Sequence, residues 1–159
     1  MVLLRHSLIS GSELANTMQQ SLIPPELVAA YRAAEYRVEA CLAAFRFRVQ
    51  VHSPELAVLL AQTQQRCAVF ITAHNPFSEP QSSAENQTAN ARLRLRLVEL
   101  TSYLYPAAGT DPRGKWPPEP GYLALGVPLP AARRIGREFR QNAIVWSGAN
   151  AVPELVLLR

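Results

Sequence analysis

The residues of this chain best suited to recognising or activating a small molecule are His74, Asn75, Glu85, Asn86, Asn90, Glu119, Gln141 and Asn142. They fall where apolar runs end and helical patterns begin. In folds that layer helices on a sheet, ligand crevices form at those places, because strand ends and helix N-termini converge there. Asn75 closes the run "AVFITAHN", and Glu85 and Asn86 open the following helix. Asn75, Asn86, Glu119 and Gln141 are therefore expected to line a polar pocket in orienting and hydrogen-bonding roles. Glu119 lies in "WPPEPG", where flanking prolines restrict the backbone. A carboxyl group beside Trp116 would have its pKa raised and could act as a general acid or base. Glu85 is the other candidate catalytic carboxylate. Each residue also has a plainer account. Asn-Pro starts turns and Asn bonds its own backbone, Glu85 suits a helix cap, and Glu119 fits a solvated loop.

Other chemistries find less in the sequence. His52, His74, Glu85 and Glu119 lack the spacing of a metal-binding helix, so no metal is expected. Ser78, Ser82 and Cys67 lie outside any nucleophile signature. "GTDPRG" has neither the lysine nor the following helix of a phosphate loop, and no cofactor is expected. A second constellation is basic. In "ARRIGREFRQ", Arg133, Arg137 and Arg140 are expected to share one helix face, with Ile135 and Phe139 opposite. Arg92, Arg96, Arg113 and Lys115 could extend it. Such a surface suits nucleic acid or an acidic protein partner, in a module that need not be an enzyme. No nucleic-acid-binding signature accompanies it, and a solvated amphipathic face has the same pattern.

The elements that must position these residues read as one α+β domain. At 159 residues with 48% hydrophobic and 18% charged content, the chain can bury a substantial core. The net charge of +4 is carried by Arg, with Lys115 the one lysine. "PPELVAAYRAAEY" reads as a helix with Pro25 in its first turn. "FRFRVQV" alternates and reads as a strand with one basic face. "HSPELAVLLAQTQQ" follows as a helix capped by Ser53, then "CAVFITA" as a strand buried on both faces. Ser82 and Glu85 match a capping box. Tyr105 to Gly121 reads as one long loop rich in Pro and Gly. "YLALGV", "NAIVW" and "ELVLL" supply further strands. The expected architecture is a mixed sheet of about five strands with helices against it. It would span residues 36–159, after a partly helical or flexible extension over 1–35. No run approaches the ~18 apolar residues of a membrane span. Arg5 and His6 break the opening apolar stretch, so a soluble, cytoplasmic protein with no membrane partner is expected.

With these segments placed, "FITAHNPFS", the "EN" of the next helix, "WPPEPGYLALGV" and "GREFRQNAIVW" together resemble a bacterial domain family, domain-of-unknown-function family 3293. The resemblance covers roughly residues 36–158 and implies no particular activity. Where that family tends to have Trp before Asn-Pro, this chain has His74, which weakens any catalytic role for that histidine. The best expectation is a pocket for a small polar or phosphorylated metabolite, with catalysis left open.

Overall fold

The computed structural model describes residues 21–40 and 43–159; most of the expected extension lies outside the described residues. Pro25 supplies the first turn of helix α1 (Pro25–Ala33). A single extended residue, Ala34, then leads into strand β1 (Glu35–Glu39), with Tyr36 and Val38 buried. Strand β2 (Ala44–Arg48) pairs antiparallel with β1, placing Tyr36 opposite Phe47. Their rings stack at a centroid distance of 5.3 Å. On the outer face, Glu35 receives both Arg46 and Arg48. The hydrogen bond from Arg48 is the main reason its carboxyl is held below the ordinary value.

Helix α2 (Pro54–Thr63) starts as the sequence predicts, with Ser53 Oγ accepting from the Leu56 amide at 3.2 Å. Strand β3 (Ala68–Thr72) follows, its first four residues buried. Helix α3 (Ser83–Val98) opens with the predicted capping box between Ser82 and Glu85. Strands β4 (Leu104–Thr110) and β5 (Glu119–Leu125) form a hairpin. Helix α4 (Leu129–Glu138) and strands β6 (Ala143–Ser147) and β7 (Glu154–Leu157) complete the described chain.

The seven strands form one sheet in the order β2-β1-β4-β5-β3-β6-β7. Every pairing is antiparallel. Two features correct the expected mixed sheet of about five strands. First, β1 and β4 are additional: β1 follows its helix without a turn signal, and β4 is built from Pro and small residues that read as loop. The expected loop from Tyr105 is therefore strand up to Thr110. Second, strand–helix alternation makes parallel neighbours only when each crossover ends in the adjacent position. Here α3 carries the chain from β3 past one position to β4, and β5 fills the gap antiparallel to both.

Both faces of the sheet are covered. One carries α3 and α4, with Leu93, Leu97, Ala132 and Ile135 packed on Val69, Ile71 and Ile144. The other carries α2, whose Leu56 and Leu60 join Tyr36, Phe47 and Phe70. Two glycines in the sheet differ in the room around them. A Cβ on Gly121 would collide with the Ile71 carbonyl oxygen, whereas one on Gly109 would meet Tyr36 and Phe70 at 3.6 and 3.7 Å, ordinary contact. Gly121→Ala should therefore cost about 1–3 kcal/mol through forced strand displacement. Gly109→Ala should stay within about 0.5 kcal/mol of the parent. Urea unfolding of the two variants tests this; equal losses would contradict it.

Candidate small-molecule site

A cavity of about 380 Å³ opens on the α2 face of the sheet, beside α1. The sheet register explains why there is space. Phe47 opposes Tyr36, Tyr36 opposes Gly109, and Gly109 opposes Glu119, so the four form one row across β2, β1, β4 and β5. Cross-strand partners project from the same face. The missing side chain at Gly109 leaves room between the Tyr36 ring and the Glu119 carboxyl. Phe70 packs at 4.9 Å from Tyr36, ring to ring. Leu27 and Tyr31 of α1, with Trp116 from the β4–β5 loop, supply further walls.

The polar end is organised by Asn75. β3 ends at Thr72, and the chain turns through Asn75, Phe77 and Ser78, which have φ of 46°, 55° and 61°. Asn tolerates that left-handed region, but Phe rarely enters it. The turn is held from several sides. Asn75 N donates to Asn86 Oδ1 at 2.8 Å, and Asn86 Nδ2 returns a bond to Asn75 Oδ1 at 2.9 Å. Gln81 N adds a bond to the same Oδ1 at 3.1 Å. The amide of Phe77 donates to the Arg140 carbonyl at 2.7 Å. With its Oδ1 occupied, Asn75 directs Nδ2 to Glu119 Oε1 at 2.9 Å. Among the described residues, Glu119 Oε2 receives no hydrogen bond. Burial raises the Glu119 pKa, and the Asn75 bond opposes that shift only in part.

Gln141 arrives by a separate route. Helix α4 ends in a Schellman turn: the Gln141 amide bonds the Gly136 carbonyl, that of Arg140 bonds Arg137, and Arg140 takes φ 52°. Gln141 Nε2 then donates to the His74 and Phe139 carbonyls, both at 3.2 Å. Burial lowers the His74 pKa, which favours the neutral imidazole.

Of the four expected pocket residues, Asn75, Glu119 and Gln141 line the cavity. Asn86 stands behind Asn75 as its support. Glu119 is the first residue of β5 rather than part of a loop. Glu85 is not brought to the cavity; it is exposed and engaged with Ser82, whose hydrogen bonds lower its pKa. The expected basic helix face is also corrected. Arg133 and Arg137 are on α4, but Arg140 lies beyond its end in a left-handed turn, so the three do not form a continuous helical stripe. Arg137 Nε points instead to the Leu158 carbonyl at 3.4 Å.

The residues outside the expected four make a hydroxyl cluster. Tyr31 Oη and Ser78 Oγ lie 2.6 Å apart, and Asn142 Nδ2 donates to both, at 3.1 and 3.2 Å. Tyr36 Oη donates to the Tyr31 carbonyl at 3.0 Å. Burial, then the neighbouring Tyr31 and Glu119, push the Tyr36 pKa far upward, so it remains a neutral phenol. Asn142 was visible in sequence as a polar residue before a strand. Tyr31 was assigned to the extension, and Tyr36 to no strand.

Comparison with known proteins adds one assignment. Residues 71–144 match the family model described as "Protein of unknown function (DUF3293)". That stretch is similar to family 3293. It contains Asn75, Asn86, Glu119 and Gln141, so all four expected pocket residues lie within the family 3293 match, while Tyr31 and Tyr36 lie before it. No curated protein and no solved structure matches the chain. Among the described residues, no helix is long and apolar enough to cross a membrane.

Asn75→Ala removes three side-chain bonds and a residue tolerant of the left-handed turn, so it should cost about 2–4 kcal/mol in urea unfolding. A loss below about 0.5 kcal/mol would show the turn to be held without it. Glu119 carries a pH signature. Its folded pKa lies above the ordinary 4.5, so the folded state favours the protonated form. Below that ordinary value the group carries no penalty, and stability is lost as pH rises through the folded value. Relative to E119Q, the parent should therefore weaken as pH rises above the ordinary carboxylate value. A pH-independent difference in unfolding midpoint would contradict the raised pKa.

Proposed function

We propose that this protein binds a small organic molecule in the cavity, with an apolar body against the aromatic floor and a polar end at Glu119. The observation that carries this reading is the Glu119 carboxyl, fixed on one oxygen by Asn75 and open on the other, in an otherwise largely apolar cavity. About 380 Å³ is within the range of small-ligand pockets. The turn that forms one end of the cavity holds three non-glycine residues in left-handed backbone, a strain that clusters at functional sites. Glu119 is also placed to exchange a proton with the bound polar end, which makes it the candidate catalytic group.

The ligand chemistry is narrower than a polar or phosphorylated metabolite. Among the described residues lining the cavity there is no Arg or Lys, and His74 favours its neutral form. A phosphate would meet a carboxyl group, with the cation nearest the lining, Arg159, already engaged by Asn142 and the Phe77 ring. The alternative of nucleic-acid or acidic-protein binding draws support from the exposed Arg133 and Arg137, but not from a continuous stripe including Arg140.

Native mass spectrometry of gently purified protein tests the cavity reading. The expected result is a discrete extra mass on the parent that is absent from Gly109→Leu, whose side chain would project into the space beside Glu119. A bare parent peak, or an adduct that Gly109→Leu retains, would count against it.

A further inference from the structure

We propose that the cavity selects a small organic cation, an ammonium or amidinium group on an apolar or aromatic body, with Glu119 as counter-ion. This inference rests on the cavity being a binding site and adds the chemical class of its ligand. Three observations converge. The charge-bearing group at the polar end is a carboxyl whose Oε2 receives no hydrogen bond among the described residues. The walls beside it are aromatic: Tyr36 and Phe70 form the floor, and Trp116 and Tyr31 the sides. Aromatic faces carry negative quadrupole potential and attract cations, with tryptophan the strongest. No described lining residue is an Arg or Lys. Arg159 stands behind the lining, its guanidinium engaged by Asn142 Oδ1 at 3.4 Å and by the Phe77 ring, and it is the one fixed positive charge placed to compete.

The carboxamide donors around the site already have partners within the protein. Asn75 Nδ2 is on Glu119 Oε1, Gln141 Nε2 on two backbone carbonyls, and Asn142 Nδ2 on the Tyr31 and Ser78 hydroxyls. An anionic ligand would therefore meet an opposing carboxyl, with the ring N–H groups of Trp116 and His74 as the donors left to it. A cation finds the open oxygen of Glu119 and the aromatic rings. The Tyr36 phenol is engaged with the Tyr31 carbonyl and kept neutral by burial.

Binding should be linked to protons. A cation needs ionised Glu119, while burial favours its neutral form, so ligand and proton compete for the same carboxyl. The other titratable groups at the cavity are Tyr31, Tyr36 and His74. Tyr36 stays neutral, and protonated His74 would repel a cation at low pH in the same direction as protonated Glu119. The E119Q variant separates these two contributions.

The test uses the full chain and four probes of shared aromatic shape: benzylamine, benzyltrimethylammonium, benzyl alcohol and benzoate. Calorimetric titration should show both cations binding at least about tenfold more tightly than the alcohol or benzoate. That preference should vanish in E119Q, whose folding is checked by thermal unfolding. Trp116→Leu, at a half-buried loop position, should weaken benzyltrimethylammonium about fivefold more than benzyl alcohol. Titrations in two buffers of different ionisation enthalpy should reveal proton release on cation binding, lost in E119Q. If alcohol or benzoate binds as well as the cations and Gly109→Leu abolishes all binding, the cation assignment falls while the cavity reading stands. If cation preference persists in E119Q, Glu119 is not the counter-ion and the proposal falls. If no probe binds, or Gly109→Leu changes nothing, both readings fall.

Discussion

The carboxamide of Asn75 ties together three segments of the chain. Through Asn86 it holds the end of β3 against the first turn of α3; through the Gln81 amide it closes the intervening turn; through Nδ2 it reaches the start of β5. The reciprocal bonds with Asn86 also satisfy a backbone amide at a strand end, where no ladder partner is available. Because Asn86 is buried, its side chain has few other partners to choose. The left-handed backbone at Asn75 is thus maintained by side-chain chemistry, and the direction of the Glu119 carboxyl follows from it.

The second determinant is steric. On the neighbouring strand the position opposite Glu119 is a glycine. Gly109 leaves that place without a side chain, and Tyr36 on the next strand closes the far side of the space. The carboxyl therefore borders a recess instead of bulk solvent, and loss of hydration raises its pKa. Backbone register and electrostatics are coupled here: a shift of one residue between β4 and β5 would turn the row of Tyr36, Gly109 and Glu119 out of alignment.

What the sequence disclosed followed from strong local signals. Ser53 before Pro54, and Ser82 with Glu85, marked two helix starts because capping is a contact within one turn. The unbroken apolar run of β3 marked an interior strand. Asn75, Glu119 and Gln141 were legible as pocket residues because polar groups at element ends have few alternatives to a crevice or a turn. The two strands that were not legible, β1 and β4, are those that carry Tyr36 and Gly109. Their identity as strands comes from partners on either side, β2 and β4 for one, β1 and β5 for the other. Such pairing overrides weak intrinsic preference and leaves little trace in a single stretch. Tyr31 escaped for the same reason: its role depends on contact with Ser78 and Asn142, distant in the chain. The Arg140 stripe failed because helical periodicity says nothing about where a Schellman turn ends it.

The cavity walls differ in how firmly they are attached. Three are fixed by other means: the floor belongs to a sheet whose central strands are bonded on both edges, one end to the turn at Asn75, and one side to the β4–β5 loop that carries Trp116. The fourth is α1, a helix with no buried residue of its own, joined to the body through the Tyr31 hydroxyl and backbone and through buried Ile23 and Ala34 at its two ends. Local opening costs least where few apolar contacts must be given up. Displacing α1 would expose the aromatic floor without breaking a strand pairing. Entry to the recess would then be governed by how readily this one wall moves, a property separate from the contacts made by the sheet and its carboxyl.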